Sequence, residues 1–150
     1  MFDQLTKFLG SGEWPPASEK TNQLAVAVAA LLVEAARMSD RFDGAERRVI
    51  ERILCRSYDL SSDAAARLLT AAEGVNAEVT QLFPFTHLIV KRMAPEQRVG
   101  VIEMLWETVY ADGVLSPDED ALIRQVAGLI YVSDRERGEA HLRVLRRLGL

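Results

Sequence analysis

The chain has 150 residues, of which 49% are hydrophobic, and its formal net charge at pH 7 is −4. This length and composition are sufficient for one folded domain with a sizeable core, and they exclude an intrinsically disordered protein. The mild acidity argues against a protein built mainly to hold nucleic acid.

Cysteine usage and hydropathy restrict the cellular setting. Cys55 is the only cysteine, which excludes an intramolecular disulfide and favours a reducing compartment, so we predict a cytoplasmic protein. The longest apolar run, residues 24–33, is about half the length that a bilayer-spanning helix requires. It also begins too late for a signal peptide and follows charged residues. We therefore predict no integral membrane segment.

The first 17 residues are predicted to form an amphipathic N-terminal arm and a linker. Phe2, Leu5, Phe8 and Leu9 have helical spacing, and the following stretch GSGEWPP breaks any helix. Two interpretations are open: the arm docks on the domain as a flap, or it contacts a membrane surface or a partner protein. The remaining residues, 18–150, are predicted to form one all-helical domain.

The helix predicted from residue 18 or 21 to residue 38 is rich in alanine and leucine and apolar on nearly every side. Such a helix belongs at the centre of a fold. Glu34 lies near its end, and because a buried carboxylate without a partner is costly, we expect it to pair with an arginine, either Arg37 or one on another helix.

A second helix is predicted over residues 44–57. Its inward face is apolar, and its outward face carries Arg48, Arg52 and Arg56 four residues apart. This arginine row is either a solvated face or a contact for an anion or an acidic partner. The next helix is expected to end before Gly74, Pro84 is expected in a first turn or at a kink, and another helix should begin at Pro95.

The strongest helix start lies at Ser116, with Pro117 at the first helical position and Glu119 three residues after the cap. Residues 31–50 repeat the layout of residues 104–123 at an offset of 73, so that Glu46 matches Glu119. The repeat predicts an all-α, single-domain helical bundle of about seven or eight helices, built from two pseudo-symmetric helical hairpins.

The acidic turn before this helix also resembles the second half of a calcium-binding loop. In that register Thr108 and Tyr110 occupy the first and third ligand positions, where acidic oxygens belong. A helix cap after a tight turn therefore explains the pattern better. Glu103 and Glu107 lie together on one face of the preceding helix, where they either help to hold a cation or contact only water and salt.

There is little support in the sequence for a zinc site, a hydrolase or a DNA-binding protein. His87 and His141 are the only histidines and lack zinc-ligand spacing, and the chain has neither a nucleophile elbow nor a phosphate-binding loop. A hydrolase using paired carboxylates is the weakest of three hypotheses. A helix-turn-helix is disfavoured because the helix after the acidic turn begins with Asp118, Glu119 and Asp120, which repel phosphate. We expect no nucleic-acid partner.

Several motifs together resemble the TerB-like tellurite-resistance family over residues 24–145. They are VYADG at 109–113, the capped helix containing Glu119, PEQRV at 95–99 and FPFTHLI at 83–89. The resemblance implies a helical bundle of two halves, related to the N-terminal region of certain DnaJ-like co-chaperones. It further implies a role in tellurite resistance and stress responses, an acidic metal-binding site and no established enzymatic reaction.

The family's acidic positions carried over to this chain are Glu46, Asp112 and Glu119, with Asp43 beside them. There are two departures: Ser39 matches Asp112 in the first copy, with Asp40 next to it, and Gln81 stands where relatives tend to have aspartate. One hypothesis is thus a stress-response module in which the two turns hold a divalent metal ion. The predicted metal ligands are Asp40, Asp43, Glu46, Asp112 and Glu119.

The competing hypothesis is an interaction scaffold without an ion. In it the carboxylates only cap helices, and the exposed faces bind a protein partner or a second copy of the chain. We expect a non-enzymatic module in either case.

Overall fold

The computed structural model describes residues 19–38, 44–78, 81–112 and 115–150. These residues form seven α-helices and one 3₁₀ helix, with no strand among them. The helices are α1 (Glu19–Met38), α2 (Gly44–Tyr58), α3 (Ser62–Glu78), α4 (Phe83–Arg92), α5 (Pro95–Val109), the 3₁₀ helix η1 (Tyr110–Asp112), α6 (Pro117–Leu129) and α7 (Asp134–Leu148). The predicted all-α fold is confirmed. The N-terminal arm predicted over residues 1–17 lies outside the described residues.

Helix α1 is the centre of the bundle. Every residue from Ala25 to Val33 is buried, and α1 contacts α2, α3, α4, α5 and α6. Alanine side chains on several of its faces permit this close packing, since each neighbouring helix can approach the backbone. The prediction of a central, all-round apolar helix agrees with this packing. Within the described residues, no helix combines the length and the apolar character needed to cross a membrane.

The last two helices begin directly after the capping serines that the sequence predicts. The Ser116 hydroxyl accepts a hydrogen bond from the Glu119 N–H at 3.2 Å, and the Glu119 carboxylate accepts one from the Ser116 N–H at 3.0 Å. Ser133 and Glu136 form the same reciprocal pair at the start of α7. Pro84 and Pro95 both lie in first turns, where the missing N–H costs no hydrogen bond.

The prediction that Gly74 ends its helix is wrong, because α3 continues to Glu78. A glycine inside a helix costs about 1 kcal/mol relative to alanine. Beyond it, Val75 and Asn76 are buried against α1. The Asn76 amide donates to Glu34 Oε2 at 2.8 Å and to the Ala30 carbonyl at 3.4 Å. These contacts outweigh the cost of one glycine.

The expectation that Glu34 pairs directly with an arginine is wrong. Its carboxylate bonds to Asn76, and the Asn76 side-chain oxygen in turn accepts a hydrogen bond from Arg37. The arginine is therefore linked to the carboxylate through an amide.

The corners that follow α2 and α6 have the same backbone geometry. Asp59 and Tyr131 adopt left-handed φ angles of 52° and 59°. The Leu60 N–H donates to the Cys55 carbonyl at 3.1 Å, and the Val132 N–H donates to the Ala127 carbonyl at 2.9 Å. The first and third helices also pack together in each half, α1 on α3 and α5 on α7. A common origin of the two halves stays a prediction.

Candidate functional site

The beginning of α2 lies next to the end of α5 in the structure. Helix α2 contacts both α5 and η1, and Ala45 and Ala111 line the same cavity. Glu46 follows Ala45 in the first turn of α2, and Asp112 follows Ala111 at the end of η1. Glu46 and Asp112 are therefore each one residue from the lining of a single cavity.

The five predicted metal ligands are described to different extents. Glu46 and Glu119 are buried, with 6% and 2% exposed, as the third residues of α2 and α6. Only the backbone of Asp112 is described, and Asp40 and Asp43 lie outside the described residues. Among the side chains that are described, no three His, Cys, Asp or Glu residues form a group that could hold a metal ion. The metal site stays a prediction.

Glu103 and Glu107 bond to arginines. Arg56 Nη2 lies 2.8 and 2.9 Å from the two carboxylate oxygens of Glu107. Arg147 Nη2 lies 2.8 Å from Glu107 Oε1 and 3.1 Å from Glu103 Oε1, while Arg143 lies 3.5 Å from Glu103. These five residues, which we call the ion-pair ladder, join α2, α5 and α7. They give both glutamates a structural role at this helix junction.

An aromatic group joins α5, η1 and α7. The His141 ring stacks on Trp106 with centroids 3.9 Å apart and planes 8° apart. His141 Nε2 lies 2.8 Å from the Tyr110 hydroxyl, and the Trp106 indole donates to the Arg137 carbonyl at 3.3 Å. The sequence pattern gave no signal for this group, because His141 lies 31 positions from Tyr110.

Burial controls the ionisation of this group. It lowers the pKa of His141, and the negative charge of Asp120 opposes the shift. Burial also raises the pKa of Tyr110, with the charges of Asp120 and Glu119 acting in the same direction. Both side chains are therefore neutral near pH 7, and the neutral imidazole can accept the tyrosine O–H at Nε2.

Two surfaces of the domain contain open cavities. The arginine-lined groove lies between α2 and η1 and consists of two adjoining cavities of about 490 and about 300 Å³ that share Val49, Arg52 and Ala111. The apolar face lies between α4 and α6 and contains cavities of about 490 and about 180 Å³ that share Phe83 and Leu129. The larger cavity extends to Glu34 and Met38 of α1 and also includes Gln81 and Gln125.

Comparison with known families identifies the domain. The family model described as tellurite resistance protein TerB matches residues 25–142. The chain belongs to the TerB family. The match spans the bundle from the first buried turn of α1 to α7, so the resemblance predicted from the sequence is confirmed for this TerB domain. No curated protein and no solved structure matches the chain.

The ion-pair ladder should contribute measurably to the stability of the TerB domain. Replacement of Glu107 by glutamine removes the charge between Arg56 and Arg147, and because the Glu107 side chain is only 10% exposed, we expect the free energy of unfolding to fall by about 1–2 kcal/mol. The matched control is Glu139→Gln, which breaks an exposed pair with Arg135 and should cost less than about 0.5 kcal/mol. Urea unfolding measures both values, and equal losses would contradict the prediction.

The stability of the TerB domain should depend on pH through His141. Its pKa is lowered in the folded state, so the unfolded chain binds a proton more readily. The free energy of unfolding should therefore be unaffected by this residue above about pH 7 and fall as the pH drops through the ordinary histidine pKa of about 6.5. His141→Phe keeps a stacked ring and should remove this part of the pH dependence. Parallel profiles for the wild type and the variant between pH 5 and 7.5 would contradict it.

Proposed function

We propose that this TerB domain is a non-enzymatic protein-interaction module of a stress response and that the apolar face is its main contact surface. One observation carries the proposal: Phe83, Leu129 and Tyr131 are 59%, 38% and 76% exposed around adjoining cavities. Large apolar side chains grouped in this way are typical of interaction surfaces, whereas single exposed ones are common on any protein.

The composition of the face suits a stable contact. Burial of a large apolar side chain contributes about 1.5–3 kcal/mol, and aromatic residues are frequent energetic centres of interfaces. The Phe83 ring stacks on His87 with centroids 5.2 Å apart, which limits the rotamer freedom that binding would otherwise remove.

The ion-pair ladder supports a non-enzymatic role. A hydrolase using paired carboxylates requires one of them to exchange a proton with the substrate. The oxygens of Glu103 and Glu107 instead bond to arginines.

Site-specific photo-crosslinking tests the contact surface. With a benzophenone amino acid at Leu129, we expect one discrete adduct in the native cell, containing either a partner protein or a second copy of the chain. Substitution of Phe83 and Tyr131 by serine should reduce this adduct at least about fivefold, given the interface energies above. The control carries the probe at Leu142, which is 53% exposed on α7.

Light scattering of the purified protein then separates the two kinds of adduct. If the wild type is a dimer and the Phe83→Ser/Tyr131→Ser variant is a monomer, the adduct contains a second copy of the chain. The absence of any adduct at Leu129, or the same adducts at Leu142, would contradict the proposed contact surface.

A divalent metal site near the beginning of α2 and the end of η1 is the second candidate. Its support is that Ala45 and Ala111, the neighbours of Glu46 and Asp112, line one cavity. Asp40, Asp43 and Glu119 complete the proposed ligand set, since hard cations bind several carboxylate oxygens.

Thermal unfolding with calcium, magnesium, manganese or zinc tests the metal site. Binding at 100 times the dissociation constant would add about 2.7 kcal/mol to stability. We expect at least one ion to raise the Tm of the wild type and to have no effect on an Asp112→Asn/Glu119→Gln variant. Glutamine preserves the capping interaction at position 119, so the metal-free Tm should change little. If no ion shifts the wild-type Tm, the site does not exist.

A further inference from the structure

We infer that the arginine-lined groove, rather than holding a cation beside Ala45 and Ala111, binds an acidic peptide segment of a partner protein, at a surface separate from the apolar face. One side of the groove is lined by three exposed arginines of α2: Arg48, Arg52 and Arg56. At four-residue intervals their Cα atoms are about 6 Å apart, so the row extends over about 12 Å.

The groove carries positive charge that the described acids do not neutralise. Arg56 bonds to Glu107, and Arg48 Nε donates to the Gly44 carbonyl of its own helix at 3.2 Å. For Arg52, which lines both cavities, no acidic partner is found among the described side chains. Glu51 also lines the groove, and Arg47 lies 3.5 Å from it but also pairs with Glu73. Two guanidinium groups thus face the groove without a carboxylate among the described residues.

The base of the groove is apolar. Val49 and Ala111 are common to both cavities, Cys55 lines one of them, and Ile53 and the half-exposed Leu148 line the other. A ligand that fills this groove must combine negative charge with apolar groups. A peptide with acidic and apolar residues in alternation meets both requirements.

The spacing of the arginines fits such a peptide. Alternate residues of an extended chain are about 6.6 Å apart, close to the interval between successive arginines on α2. Guanidinium groups bind carboxylates through two parallel hydrogen bonds, which gives the pair direction as well as charge attraction.

Two other anions fit less well. A free phosphate favours a compact cradle of backbone N–H groups, whereas the arginines that line this groove are spread over successive turns of α2. A nucleic acid strand presents phosphates but no aliphatic side chains for the apolar base of the groove, where Val49 and Ala111 line both cavities.

Fluorescence anisotropy with defined probes tests the inference. The probe is a labelled peptide of alternating glutamate and leucine, six residues long. Its matched controls are the same peptide with glutamine for glutamate and a six-nucleotide oligothymidine. We expect the full chain to bind the acidic peptide at least about tenfold more tightly than either control at 50 mM salt, with weaker binding at 300 mM.

Substitutions locate the binding. Arg48→Gln/Arg52→Gln should weaken acidic-peptide binding about tenfold, whereas Arg135→Gln, which removes an exposed arginine on α7, should change it less than about twofold. The helical circular dichroism and the Tm of each variant are measured alongside, and an unchanged signal ties any loss of binding to the groove.

Four results would overturn the inference: no binding of the acidic peptide, equal binding of the glutamine peptide, tighter binding of oligothymidine, or an unaffected double variant. The result is independent of the proposed contact surface, because Phe83→Ser/Tyr131→Ser should leave peptide binding unchanged. If that variant also loses the peptide, the two surfaces are one and the inference fails.

Discussion

The burial of α1 on all sides is the constraint on which the rest of the bundle depends. Residues 25–33 have no face left for solvent, and the many alanines among them let five helices approach one axis. Because the neighbours must cover this helix completely, their apolar stripes face inward and their charged rows face outward. The position of the arginine row on α2 follows from that arrangement, whereas the glutamates on α5 lie at the junction with α2 and α7.

The pairing of charges between helices decides which of the exposed groups are available for ligands. Glu103 and Glu107 pair with arginines from α2 and α7 in the ion-pair ladder. Their carboxylates are therefore engaged by cationic side chains and are poor ligands for a metal ion. The same pairing engages Arg56 but leaves Arg52 without a described acidic partner. A row of three similar arginines on one helix thus contains members with different roles, and only their contacts distinguish them.

Local signals predicted much of this fold correctly, and long-range contacts account for the errors. Ser116 and Glu119 form the expected capping box because all of its atoms lie within four residues. The expected helix end at Gly74 is wrong, since Val75 and Asn76 are held against α1, about 45 residues earlier in the chain. The partner of Glu34 was mistaken for the same reason, because Asn76 is remote in sequence and gives no periodic signal.

The sequence by itself determined the helices, their caps, the central position of α1 and membership of the TerB family, because hydrophobic period, capping residues and short motifs all act over a few neighbouring positions. Only the tertiary structure decided how the side chains are used. It placed His141 on Trp106, connected Glu107 with Arg56 and Arg147, and grouped Phe83 with Leu129 on one exposed face. Each of these contacts joins residues at least 35 positions apart, and their proximity arises from the packing of helices around α1.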